Sequence, residues 1–141
     1  MRFWDSSALV ALHVDEPATA SMRDLLESDP HVIVWGFSSV EVLSAIARLQ
    51  RRSKGLEDLL HGVRLEVLAT SGLWSAVTLV EPVRRRAERL VGLHPLGAAD
   101  ALQLAAALVA SADRPETLDF VTLDKRLAVA AQLEGFRVMT A

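Results

Sequence analysis

Cysteine is absent from this chain of 141 residues, which excludes a disulfide framework, a zinc–thiolate centre and a cysteine nucleophile. No stretch of about 20 uncharged apolar residues is available to cross a bilayer. Asp5 breaks the apolar start of the chain, so the N-terminus carries no signal-peptide pattern. These absences predict a cytoplasmic protein without membrane contact. Strong charge of either sign is missing as well. A net charge of −3 does not announce a polyanion partner, although a site that holds cations can offset local acidity. The histidines, His13, His31, His61 and His94, are scattered and never fall at ligand spacing, so none receives a catalytic role, with His94 near the Asp100 helix left open. There is no internal repeat, low-complexity tract or linker.

What remains is a chain about half hydrophobic, 51%, of a length suited to one domain, since domains peak at roughly 100–150 residues. A single domain over 1–141 is expected. Strand and helix patterns alternate along it. Met1–Trp4 reads as a short strand followed by Asp5, Ser6 and Ser7, all of which can cap a helix. An apolar run from Ala8 to Val14 and a segment beginning at Pro17 are helical, with Met22, Leu25 and Leu26 on one face. His31–Trp35 (HVIVW) is a β-branched run typical of a buried strand. Ser38 opens a further helix at capping-box spacing from Glu41, ending in Arg51 and Arg52. A leucine-rich helix from about Ser53 to Leu68, a strand over Trp74–Val80 and a helix from Glu81-Pro82 follow. Ala98–Ala112 is the most apolar helix. Phe120–Leu123 (FVTL), a helix begun by Asp124, and a strand over Phe136–Met139 complete the chain. Strands separated by helices imply a three-layer α/β/α sandwich around a mainly parallel sheet of about four to five strands.

The acids fall where such a fold binds ligands. Asp5 and Asp124 follow strands, Glu41 lies in the first turn after HVIVW, and Asp100 lies near the start of the apolar helix. All would point to one end of a parallel sheet. Taken singly, Asp5, Glu41 and Asp124 read more readily as helix caps. Asp100 resists that reading, because GAADALQLAAALVA has only Gln103 as another polar side chain before Ser111. A carboxylate in a buried helix costs several kcal/mol unless a cation meets it. No Lys or Arg lies within a helical turn of Asp100 in sequence. A bound cation or a distant basic residue has to compensate.

Like carboxylates about 4 Å apart repel by about 4 kcal/mol at an effective dielectric of 20, which a divalent metal removes. Oxygen-only ligands suit Mg²⁺ or Mn²⁺ rather than zinc. Mg²⁺ keeps several waters and completes its shell with substrate phosphate, which points to phosphodiester hydrolysis by a metal-activated water. Ser7 and Thr122, each two residues from an acid, are placed to hydrogen-bond a carboxylate, with Thr122 and Asp124 leaving the same strand face. Arg51 and Arg52, with Lys54, and Lys125 with Arg126 beside Asp124 are candidate contacts to substrate phosphate, a solvated helix surface being an equally good reading. Arg84, Arg85 and Arg86 read as a solvent face, and Trp4 and Trp35 as core.

FWDSSAL at Phe3–Leu9, SSVEVLSAI at Ser38–Ile46, GAADALQLAAAL at Gly97–Leu108 and FVTLDKRLAVAA at Phe120–Ala131 occur in an order that resembles the PIN-domain ribonucleases. Within them the chain is most similar to the VapC-type toxins of VapBC toxin-antitoxin pairs. The resemblance implies that Asp5, Asp100 and Asp124 hold Mg²⁺ or Mn²⁺ and that Glu41 completes the acidic cluster. It implies Ser7 and Thr122 as supporting hydroxyls, endonucleolytic cleavage of RNA, a cognate antitoxin that occludes the cleft, and a homodimer. Gly97, Ala98 and Ala99 depart from the basic or polar residues many relatives carry before the acid. Two other classes stand beside this one. A response-regulator receiver would need an acidic pair after its first strand and a lysine after its last, and both are missing here. A catalytically silent PIN-like interaction module, or a housekeeping PIN nuclease without an antitoxin, keeps the fold; the silent module should show no Mg²⁺-dependent stabilisation. The leucines of Ser38–Leu68 suggest where a dimer would form.

Overall fold

Short β-branched and aromatic segments alternate with amphipathic ones, and each becomes a strand or a helix in the computed structural model, which describes residues 1–141. The elements run β1 (Arg2–Trp4), α1 (Ser6–His13), α2 (Thr19–Ser28), β2 (Val32–Trp35), α3 (Ser38–Arg52) and α4 (Glu57–Ser71). They continue through β3 (Ser75–Val77), α5 (Val80–Leu93), α6 (Ala98–Ala110), β4 (Asp119–Val121), α7 (Lys125–Leu133) and β5 (Arg137–Met139).

The five strands form one parallel sheet in the order β3-β2-β1-β4-β5. Alternation along the strands divides the core in two. Phe3 and Phe120, paired in register and stacked with centroids 5.4 Å apart, face α5, α6 and α7 with Val83, Leu90 and Leu104. Trp4 and Val121 face the other way, into the layer of α1 to α4 with Leu9, Met22, Val42 and Ile46. Trp4 and Trp35 are both buried, as a core reading requires. The result is the three-layer α/β/α sandwich expected, with helices covering both faces of a parallel sheet.

Several boundaries differ from the sequence reading for local reasons. α2 begins at Thr19, not Pro17, because the Thr19 hydroxyl donates to the Val14 carbonyl and accepts from the Glu16 N–H, closing a turn first. α4 begins at Glu57, not Ser53, after a turn that holds Gly55 at φ +86°. The Trp74–Val80 strand is shorter, because Val80 already belongs to α5 and both Leu79 and Val80 are exposed. Ser38 does not cap α3: it lies inside the helix, buried, with its hydroxyl on the Gln103 carboxamide.

Chain connectivity reverses between β1 and β4. β2 and β3 extend to one side of β1, and β4 and β5 to the other. In open α/β sheets the crevice beyond the carboxyl ends of the strands at such a point is where ligands bind. Asp5 follows β1 and Asp124 closely follows β4.

Candidate functional site

Asp5 stands at the β1–α1 junction with 1% of its surface exposed. Its backbone N–H continues the sheet by donating to the Val121 carbonyl at 3.0 Å. Its side chain is the N-cap of α1, so the cap is Asp5 and not Ser6 or Ser7, which lie within the helix. Oδ2 accepts from the Ser7 N–H (3.2 Å), the Ser7 hydroxyl and the Thr122 hydroxyl (2.8 Å). Oδ1 meets only the Ser6 hydroxyl, at 3.4 Å. One oxygen is therefore committed to the fold while the other is nearly free.

Thr122 lies just past β4, buried, and accepts from the Asp124 N–H at 3.1 Å. It faces Asp5, and Asp124 turns into the N-cap of α7, accepting from the Leu127 N–H at 2.9 Å. The two do not share a strand face, because the strand stops at Val121. Thr122 instead ties the two junctions together.

Glu41, in the first turn of α3, is held at both oxygens. The Ser6 hydroxyl donates to Oε2 (2.9 Å) and Gln103 Nε2 donates to Oε1 (3.1 Å). Gln103 is fully buried in α6, one turn beyond Asp100, and also donates to Ser38 at 3.0 Å. The sequence carried a signal for this residue, as the one other polar side chain in the apolar helix before Ser111. Asp100 sits in the first turn of α6, half-buried, where the helix dipole favours an acid. This corrects the picture of a carboxylate deep in an apolar helix. The distant basic residue is Arg126, whose charge acts on Asp100.

Asp5, Glu41, Asp100 and Asp124 line one cleft of about 520 Å³ with Ser6, Ser7, Ser44, Arg48 and Ala99. Burial, outweighing hydrogen bonds from Ser7 and Thr122, pushes the Asp5 carboxyl above its ordinary range. Glu41 is raised by burial, with Asp5 and Asp100 adding to it. Asp100 is raised by burial and then by Asp124 and Asp5. The acids thus repel one another around a cleft with little protein cation inside it, and their donor set of carboxylate oxygens fits a hard divalent ion. No three of them are gathered into a ready-made cage.

Arg48 was missed by sequence reasoning. It lies seven residues beyond Glu41, two turns along the same face of α3, and that spacing was available. Arg51 and Arg52 form the exposed last turn of α3 and do not line the cleft. Lys125 and Arg126 are exposed at the start of α7 and line a neighbouring groove. Arg84, Arg85 and Arg86 are engaged with Glu81, Glu88 and Asp113 on the surface, as a solvent face should be.

The raised acids set a pH dependence for the metal-free protein. Between the ordinary carboxylate range and their raised folded values, the native state holds more protons than the unfolded one, so stability falls as pH rises. Below about pH 4 the sign reverses, as Asp29, lowered to about 2, and Asp119, lowered by Arg137, become protonated. Denaturant midpoints in EDTA are expected to be higher near pH 5 than near pH 7. A midpoint that climbs over that interval contradicts the upward shift of these three carboxyls.

The chain matches the PIN domain over residues 2–133. It is similar in structure to a chain from a toxin-antitoxin complex of Klebsiella pneumoniae, with a TM-score of 0.67 and 16% identity over 99% of this chain and 97% of that one. Comparison with curated proteins gives no match.

Proposed function

Because the chain belongs to the PIN-domain family, whose members are generally nucleases, we propose that it is a Mg²⁺- or Mn²⁺-dependent endoribonuclease, and the toxin of a type II toxin-antitoxin pair. The observation that carries this reading is the meeting of Asp5, Glu41, Asp100 and Asp124, from separate segments of the chain, in one cleft at the carboxyl edge of the sheet. When bound, the divalent ion supplies a Lewis acid that activates water and neutralises charge on a phosphate.

Asp5 Oδ1, Asp100 and Asp124 would hold the ion. Ser7 and Thr122 fix Asp5 by binding its other oxygen. Glu41, clamped by Ser6 and Gln103 and raised by burial, is suited to take the proton of the attacking water, since a base works best with its pKa near the operating pH. Arg48 lines the same cleft and offers a phosphate contact that an acidic site otherwise lacks. The whole chain, 1–141, would act as one cytoplasmic catalytic domain. Leu65 and Leu68, one turn apart and both exposed on α4, offer an apolar face for the homodimer; a monomeric mass at micromolar concentration would remove that part.

Expression of the chain alone is expected to arrest growth, and co-expression of the product of a neighbouring small gene to relieve it. Arrest without any relieving partner would favour a housekeeping nuclease. No stabilisation by Mg²⁺ would favour a silent interaction module.

A further inference from the structure

A second groove, of about 330 Å³, lies between the C-terminal end of α5 and α7. His94, Pro95, Lys125, Arg126, Val129 and Leu133 line it. It adjoins the acidic cleft: Lys125 follows Asp124 directly in the chain, and the charge of Arg126 reaches Asp100. We propose that this groove is a nucleotide subsite that seats a base of the single-stranded RNA next to the one being cut, an inference that rests on the ribonuclease reading.

The first support is charge. Arg2, Arg84, Arg85, Arg86, Arg89, Arg114 and Arg137 all sit in ion pairs with carboxylates. Lys125 and Arg126, like Arg48 and five other basic residues, take part in none of those pairs, and these two are the ones exposed beside the groove. With Arg48 in the cleft, they put a cation on each side of the carboxylates, a track that a phosphodiester backbone can follow across an otherwise repelling acidic centre.

The second support is the groove wall. Val129 and Leu133 are 56% and 72% exposed on α7, and with Pro95 they offer apolar surface to the flat face of a base. The volume is near the lower end of the roughly 300–1,000 Å³ of small-ligand sites, so it suits a nucleoside better than a packed helix. The third is His94. Its Nε2 is engaged by Glu134 at 2.8 Å, and Glu134 is held in turn by Arg89 at 2.6 Å. The ring is thereby fixed with Nδ1 left for an occupant, and a fixed polar atom beside an apolar wall is what reads a base edge.

The probe is a set of fluorescein-labelled ten-nucleotide homopolymer RNAs, bound by the full chain in EDTA so that no cleavage occurs, and then cleaved with Mn²⁺. Val129→Glu puts a carboxylate at an exposed helix position, where the fold tolerates it. It is expected to weaken binding by about tenfold, to raise KM by a similar factor and to leave kcat within about twofold. His94→Gln is expected to narrow the differences in affinity among the four homopolymers. In both variants the rise in Tm with Mn²⁺ should match that of wild type. A wild type that cleaves RNA while Val129→Glu binds and cleaves identically overturns the subsite and leaves the ribonuclease reading standing. Loss of a protein partner's binding by Val129→Glu with RNA binding unchanged overturns it in favour of a protein seat. A wild type that neither binds nor cleaves any RNA overturns both.

Discussion

Asp5→Asn is expected to lower RNA cleavage on the order of 10³-fold while leaving the protein folded. The two oxygens of Asp5 do different work. Oδ2 accepts from the Ser7 N–H, the Ser7 hydroxyl and the Thr122 hydroxyl, and a carboxamide oxygen in its place keeps all three. Asparagine is as good an N-cap as aspartate, so α1 loses little. Oδ1 is the nearly free atom, and Nδ2 in its place presents hydrogens where an ion needs lone pairs. The substitution also takes a charge out of a fully buried position, which offsets part of any loss in stability. Circular dichroism and thermal unfolding should match wild type within about 1 kcal/mol, against an activity loss several times larger on the same scale. A variant that unfolds would show that Asp5 acts through the cap; one that keeps full activity would show that the cleft does not perform the chemistry.

The second large effect concerns Asp100. Its carboxylate is pushed up by burial and by Asp124 and Asp5, with only Arg126 opposing. Asp100→Asn is therefore expected to raise the Tm of the metal-free protein by a few degrees and to abolish most of the gain that Mg²⁺ or Mn²⁺ gives wild type. That gain is about 2.7 kcal/mol at an ion concentration 100 times its dissociation constant. The crossing of the two effects separates ion binding from structure. An unchanged or lower metal-free Tm would mean that Asp100 is chiefly the partner of Arg126, and that the acids do not repel.

The sequence revealed the layers because each strand is a short apolar run bounded by turn residues, and the helices carry their apolar faces at helical spacing. It revealed Asp100 because one acid in GAADALQLAAALVA is conspicuous. Strand order was out of reach. The placement of β1 beside β4 is a pairing between residues more than a hundred positions apart, and no local period encodes it. The capping box at Ser38 and Glu41 was misread for the same reason. The spacing was right, but both side chains are taken by Gln103, more than 60 residues away, and a buried tertiary hydrogen bond outcompetes a local one. Arg51 and Arg52 drew attention as a cluster, whereas Arg48 shares the Glu41 face and lines the cleft. Helical register, more than charge density, was the useful signal there. Asp5 and Asp124 read from the sequence as either caps or site residues, and they are caps whose position also turns a carboxylate toward the cleft.

The most direct test is to incubate the purified chain with single-stranded RNA and Mn²⁺ and to analyse the new ends. Hydrolysis by water held among Asp5, Glu41, Asp100 and Asp124 should stop on adding EDTA, fail in Asp100→Asn, and leave no 2′,3′-cyclic phosphate. Cleavage that persists in EDTA, survives in Asp100→Asn, or yields cyclic phosphate through attack by the RNA's own 2′-hydroxyl would contradict a four-carboxylate metal mechanism.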